Sequence, residues 1–370
     1  MTARPTASRR VRVYETLRTA HLERAHDLPP SSILYRRRRY DFDEALLPGL
    51  DLIEAGPVRT ACVLALSDVR ELEVNEPLML SSLRRTALAL VVARLRAALL
   101  RRPLTVATYA IANDDPFRPA VGPGLRRLRR RVDRWLLGFV ARRIDRIAFG
   151  TSSARDLYAS LVPGVSRAAS TLIQALPARC GCLAVATVRD PDRVVFLGSF
   201  EERKGIRTLL AAWPRVVGRW PAATLAVVGK GELLAFVEDQ AAARDDISLL
   251  VDPERAEIHR TLAGSALVVL LSQRTPRWRE QVGLPLVEGL AHGCSVLGTT
   301  ETGLADWLAA HGHGVVDAGA GPVEVAEAIV GLLRLGRSAA SVLGDLPSED
   351  GRLAADAWMF PLSANPAAVT

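Results

Sequence analysis

The sequence predicts an α/β protein of two domains, the second built on a parallel, doubly wound sheet. Three observations predict it. Between residues 193 and 335, short Val/Leu-rich runs alternate with amphipathic stretches of helical period. The chain has 370 residues, enough for about two domains with a sizeable core each. Charge is divided unevenly: residues 1–188 carry 31 Arg against 17 acids, whereas residues 189–370 carry 17 basic against 23 acidic residues. Surfaces of opposite sign point to two units facing different partners.

The elements follow in order. In the first half, Val11–Tyr14, Ile33–Tyr35, Arg70–Val74 and Leu104–Tyr109 read as candidate strands. Leu83–Leu100 and Leu125–Ile144 read as helices. The second puts Leu125, Leu128, Val132, Trp135, Leu136, Phe139 and Val140 on one face and its arginines on the other, so the apolar face is expected against a sheet. In the second half, strands are expected at 193–198, 223–229, 247–251, 266–271 and 294–298. Helices are expected at 205–218, 231–243, 254–263, 284–292 and 323–335. Buried runs alternating with helices are the pattern of a parallel sheet. Residues 181–192 read as a linker between an N-terminal domain, 1–180, and a C-terminal domain, 193–344. The Ala/Pro-rich tail 345–370 is expected to cross back to the first domain through Ala354–Phe360.

One segment carries the chemistry. Glu280 and Glu288 flank Gly283-Leu284-Pro285-Leu286 at the head of an apolar helix. Gly283 permits a tight turn and Pro285 suits a first helical turn. The helix start offers unpaired N–H groups to an anion. Carboxylates on both sides of an anion site suit a ligand with hydroxyls at its ends and phosphate between, as in a nucleotide-sugar. The chain has only two lysines, Lys204 and Lys230. Where Arg has replaced nearly every Lys, a surviving Lys points to a place where its compact ammonium matters. Ser199–Lys204, Gly229–Glu232 and Glu280–Pro285 all fall beyond strand C-termini, where ligands of such sheets bind.

Glu280-x7-Glu288 followed by Gly-Leu-Ala-His-Gly-Cys-Ser-Val-Leu-Gly-Thr-Thr-Glu-Thr-Gly-Leu resembles the donor-site signature of retaining glycosyltransferase family 4, of the GT-B fold. The resemblance implies two Rossmann-like doubly wound domains facing a cleft. It further implies transfer of a sugar from a nucleotide-diphosphate sugar to a hydroxyl acceptor, in secondary-metabolite or cell-envelope glycan biosynthesis, with retained configuration and no metal or cofactor. Glu280 would contact the donor sugar and Glu288 the ribose. Amides near Leu284 to Leu286, with Gly283 and Pro285, would meet the diphosphate. Lys204, in Glu201-Glu202-Arg203-Lys204-Gly205, resembles the family's phosphate-contacting Lys. Ser199 stands where an Arg is usual, leaving Arg203 to supply a second charge. Gly229 and Lys230 resemble the Gly turn near the nucleotide. Glu73-Val74-Asn75-Glu76-Pro77 resembles an acceptor-side "HxHEP" segment, with Asn75 in place of a His. Thr105–Ala110, which contains Tyr109, similarly lacks the His that usually follows. Asn75, Glu76 and Tyr109 are therefore the acceptor-side candidates, and a transfer-impaired relative that still binds nucleotide-sugar is the alternative.

Composition excludes other classes. No uncharged apolar run approaches the roughly 18 residues of a membrane span, and the N-terminus lacks the apolar core of a secretory signal. A cytoplasmic protein is expected, peripheral on the inner face of the cell membrane where Arg36–Arg39 and Arg126–Arg134 meet anionic lipid, with a lipid-linked acceptor as an alternative substrate. These runs lack the interleaved aromatics of a nucleic-acid binder, so no nucleic-acid partner is expected. Cys180-x-Cys182 is too closely spaced for a zinc knuckle and has no second pair or nearby His in sequence. His292 reads as a core or cap residue. His21, His26, His259, His311 and His313 form no motif. Asp114 and Asp115 are adjacent, not spaced as an Asp-X-Asp metal motif.

Overall fold

The computed structural model describes residues 6–39, 42–118, 124–162, 164–184, 188–276 and 278–361. The chain forms two compact units. The first comprises Met1–Gly150, Ala154–Gln174 and Arg352–Thr370, and the second Thr151–Ser153 and Ala175–Gly351. Residues 181–184 and 188–192, expected as the linker, lie within the second unit, and the passage between units falls at Gln174–Ala175.

In the first unit the elements run β1 (Arg10–Leu17), α1 (Thr19–Asp27), β2 (Ser32–Arg38), β3 (Asp51–Glu54), α2 (Pro57–Leu66), β4 (Glu71–Glu73), α3 (Leu83–Leu99), β5 (Thr105–Ala110), α4 (Leu125–Ala141), β6 (Arg146–Phe149), α5 (Ser152–Leu161) and β7 (Ala169–Leu172). The seven strands order as β3-β2-β1-β4-β5-β6-β7, and every pairing is parallel. Val11, Val13, Leu34, Leu72, Val106 and Ile147 fill one core with Leu64, Leu90 and Val140 from the helices. Arg85 of α3 is buried there. Its guanidinium donates to the carbonyls of Tyr14 and Leu34 at 2.8 and 3.2 Å and to the Thr60 hydroxyl at 3.0 Å, so each of its three nitrogens is hydrogen-bonded.

The second unit runs β8 (Arg193–Leu197), α6 (Ile206–Arg219), β9 (Thr224–Gly229), α7 (Leu234–Ala242), β10 (Ile247–Val251), α8 (Arg255–Ala263), β11 (Leu267–Val269), α9 (Leu284–Ala291), β12 (Ser295–Thr299), α10 (Ala305–Ala310), β13 (Gly314–Val316), α11 (Pro322–Leu335) and α12 (Ala339–Gly344). Its strands order as β10-β9-β8-β11-β12-β13, again all parallel. From β8 the chain winds outward to β10, then returns to β11 on the other side of β8. That places a topological switch point between β8 and β11. Val194, Val195 and Phe196 of β8 and Val268 and Val269 of β11 are wholly buried, as strands covered on both faces require.

Helix α13 (Gly351–Met359) returns to the first unit. Ala355, Met359 and Phe360 pack on Ala107 of β5 and Ala148 of β6. A buried charge network secures it: Asp356 accepts from Arg12 at 2.9 Å and from Arg10 at 3.0 Å, and Arg352 reaches Glu73, which Arg12 also approaches.

The structure corrects one helical expectation. Along α4 the first half of the apolar stripe stays in solvent: Leu128, Val132 and Trp135 are 58%, 41% and 65% exposed. Only the second half is buried, through Leu137, Val140 and Ala141.

Candidate functional site

The loop after β8 and the loop after β11 flank the switch point, and each delivers one charged residue to it. After β8, Gly198 and Ser199 lead into a single 3₁₀ turn, Glu202–Lys204, which Gly205 ends. Gly205 has φ +71°, and a Cβ there would stand 2.2 Å from the Leu271 carbonyl oxygen, so only glycine lets this turn lie against the β11 loop. The Arg203 carbonyl accepts from Gln273 N–H at 2.7 Å, tying the two loops together.

This close approach brings Lys204 Nζ to 2.5 Å from Glu280 Oε2, the two side chains being only 12% and 11% exposed. Ser272 Oγ donates to the same oxygen at 2.8 Å. Ser272 is itself held, its carbonyl accepting from Thr299 Oγ1 at the end of β12 at 2.7 Å. Trp278 faces both cations of the turn, with Arg203 and Lys204 lying 4.2 and 4.8 Å from its ring centre. Ser272 and Trp278 escaped the sequence reading, because a Ser after an apolar strand and a Trp in a polar loop carry no spacing signal.

The other expected donor-site residues take distinct places. Arg203 forms two contacts with Glu201, at 2.6 and 3.1 Å. Burial raises the pKa of Glu201, but hydrogen bonds from Arg203 and Ser199 outweigh it and hold the carboxyl below its usual range. Arg203 therefore carries its charge as a partner of Glu201. Gly229 ends β9, and Lys230 beyond it pairs with Asp252 at 2.7 Å on an exposed surface. Glu288, one turn into α9, pairs with Arg255 of α8 at 3.0 Å.

At the head of α9, Gly283 has φ +80° and caps the helix. The backbone narrows the expected anion contact. Pro285 has no N–H, and Leu286 N–H already donates to the Gly283 carbonyl at 2.9 Å. Leu284, at the first helical position, keeps the amide that the helix itself does not use, and its side chain is 48% exposed.

The acceptor-side candidates fall in the first unit and do not converge. Glu76 lies just beyond β4, where its carboxylate accepts from the amides of Ile111 and Ala112 at 3.0 and 2.9 Å and from Tyr158 at 3.1 Å. Burial pushes its pKa up to about 7 against the opposite pull of those three donors. Asn75 Oδ1 is buried without a hydrogen-bond partner among the described residues. Tyr109 packs instead toward α13, with Arg352 5.2 Å from its ring centre.

The fold adds neighbours to Cys180-x-Cys182 that the sequence spacing does not show. Two histidines distant in sequence do meet this pair: His259 of α8 and His292 at the end of α9. The sequence spacing gives no sign of this meeting because the fold, not the spacing, assembles these groups.

Among the described residues, no helix is long and apolar enough to cross a membrane. Residues 191–334 match the family model of glycosyl transferases group 1. No curated protein matches the chain in sequence. Among solved structures, Anabaena HepE in complex with UDP is similar at 14% identity and a TM-score of 0.62, over 95% of each chain. The lipopolysaccharide outer core galactosyltransferase WaaB is similar at 10% identity and a TM-score of 0.64, over 94% of this chain and 97% of that one. A UDP-forming alpha,alpha-trehalose-phosphate synthase from Burkholderia xenovorans is similar at 12% identity and a TM-score of 0.60, over 95% and 98%. The likeness shows the fold: two parallel-sheet Rossmann-like units of the GT-B type.

Proposed function

We propose that the protein is a metal-independent, retaining glycosyltransferase that moves a sugar from a nucleotide-diphosphate sugar to a hydroxyl acceptor. The observation that carries this reading is the Lys204–Glu280 pair at the switch point of the second sheet. An ammonium and a carboxylate set side by side suit a ligand whose phosphate adjoins a hydroxyl-bearing sugar. The match of residues 191–334 to glycosyl transferases group 1, and the UDP of the HepE complex, support the same reading.

The chemistry asks for two things. As the bond between the anomeric carbon and the phosphate oxygen breaks, the diphosphate gains negative charge, which Lys204 and the Leu284 amide would stabilise. The sugar gains oxocarbenium character, and Glu280, fixed by Ser272, would orient its hydroxyls. Glu288 would hold the ribose, braced by Arg255. The acceptor oxygen would attack from the face the diphosphate leaves, and a phosphate oxygen would take its proton. Hydrogen bonds to charged groups are worth about 1.5–3 kcal/mol. Lys204→Ala or Glu280→Gln should therefore lower kcat/KM about ten- to a hundredfold with the fold intact. Activity within about threefold of wild type in both variants would overturn these roles. Inverted anomeric configuration in the product, read by NMR, would overturn retention.

A second reading, a lipid-linked acceptor reached at a membrane face, is favoured by α4. Leu128, Val132 and Trp135 stand exposed among Arg127, Arg129, Arg131 and Arg134, a basic, apolar face suited to an anionic interface. Salt-sensitive co-sedimentation with phosphatidylglycerol vesicles, weakened by Trp135→Ala, is expected. Equal recovery with neutral vesicles would exclude it.

A further inference from the structure

Four side chains outside the Lys204–Glu280 pair converge in the second unit. Cys182 lies in a short 3₁₀ segment, Gly181–Ala184, and Cys180 just before it, with His259 from α8 and His292 from the end of α9. Their ligand atoms form a closed cycle. Cys180 Sγ lies 3.0 Å from Cys182 Sγ, which lies 3.2 Å from His292 Nε2. That nitrogen is 2.9 Å from His259 Nδ1, which is 3.4 Å from Cys180 Sγ. All four atoms lie within 4.8 Å of one another. A point midway along the longest such separation lies within about 2.4 Å of both ends, close to the Zn–S and Zn–N bond lengths of about 2.3 and 2.0–2.1 Å.

We propose that these four residues bind one zinc ion as a structural Cys₂His₂ site. Two thiolates and two imidazoles are the donor set that suits a tetrahedral, borderline-soft divalent metal. Further observations point to the same end. His292 Nδ1 lies 2.7 Å from the Glu288 carbonyl oxygen, which can only accept, so Nδ1 carries the proton and Nε2 turns a bare lone pair into the cluster. A ring nitrogen fixed in this way by a backbone carbonyl is the usual support of a metal-bound histidine. The cysteine segment is also docked independently of the cluster. Cys180 N–H donates to the Ala291 carbonyl at 2.9 Å, and Arg189 donates to the carbonyls of His292 and Gly293 at 2.5 and 2.8 Å. The thiols therefore arrive at the histidines on a fixed backbone. Cys182 is exposed while His292 is buried, which gives an ion a path from solvent to a protected pole.

Four protein ligands leave no open position, so the ion would be structural rather than catalytic. On binding, both thiols lose their protons to solvent and the metal keeps its +2 state, so no oxidant or reductant is needed. The ion would join three pieces of chain, the 180–184 segment, α8 and α9, immediately behind the residues that hold Arg255 and Glu288.

The test uses full-length protein without a polyhistidine tag, equilibrated with zinc chloride and then dialysed. Elemental analysis should find about one zinc per chain. Cys180→Ser/Cys182→Ser should fall to background, whereas Cys62→Ser, a cysteine of the first unit, should keep its zinc. Should the double variant fail to fold, cobalt(II) exchange into wild-type protein decides: intense tetrahedral ligand-field bands with thiolate charge transfer are expected. Less than about 0.1 zinc per chain in wild type, full zinc in the double variant, a cobalt spectrum without thiolate character, or a Cys180–Cys182 disulfide in protein handled without oxidant would each overturn the proposal. The effect on Glu288 rests on the proposed function and is separable from the metal. Glu288→Gln should keep its zinc while losing affinity for UDP.

Discussion

At the scale of single residues, two carboxylates in similarly buried surroundings serve opposite ends. Glu280 has a cation beside it and a hydroxyl donating to it. Among the described residues Glu76 forms no ion pair; two amides and a phenol donate to it, and its pKa lies at about 7 where an exposed glutamate sits at 4.5. The sign of the linkage follows. Between those two values the folded protein holds the proton and the unfolded chain does not, so stability falls as pH rises through that window. Above about pH 7 the cost is fully developed. Replacing Glu76 by Gln removes the titration, so the unfolding free energies of wild type and variant should diverge with pH. A change in their difference on the order of 3 kcal/mol between pH 4.5 and 8 is expected from chemical denaturation. A pH-independent difference would show that Glu76 ionises normally. Asn75, by contrast, lies in the same segment with a buried oxygen that has no partner among the described residues, and is the better acceptor-side candidate for direct contact.

At the scale of elements, legibility followed burial. The strands β8, β9 and β11 stood out in the sequence because strands covered on both faces must be runs of Val, Leu and Phe. The edge strands β3 and β7 escaped, since their residues are largely solvated and alternate weakly. Lys204 and Glu280 were legible because one loop motif carries each. The zinc ligands were not, because Cys180 and His259 stand 79 residues apart and His259 and His292 another 33. The element most exacting in its geometry is the 3₁₀ turn that presents Lys204. Gly205→Ala forces a side chain into left-handed backbone and against the Leu271 carbonyl, so a loss of about 1–3 kcal/mol or more is expected in urea unfolding, with weaker UDP binding. An unchanged midpoint would mean that the turn relaxes freely. Helix α4 shows the opposite failure of pattern reading: its apolar stripe was visible, but Leu128, Val132 and Trp135 of that stripe stay in solvent.

At the scale of the whole molecule, unit 1 depends on a helix that follows unit 2 in the chain. Arg12, Glu73, Arg352 and Asp356 are each nearly wholly buried, so removing one partner strands a charge in low dielectric. Asp356→Ala should destabilise the first unit by about 3–5 kcal/mol. UDP affinity should stay within about threefold of wild type if nucleotide binding resides in the second unit alone. Parallel losses of stability and affinity would overturn the assignment of nucleotide binding to the second unit alone.

The return of α13 also sets an order of birth. Ribosomal synthesis at about 5–20 residues per second delivers residues 352–360 only after the whole of Ala175–Gly351. The later unit can thus mature on the ribosome while the earlier one waits, with the Arg12–Glu73 contact still lacking its helical partners. A chain arrested at Gly351 should yield a protease-resistant fragment from the downstream unit, and a labile one from upstream.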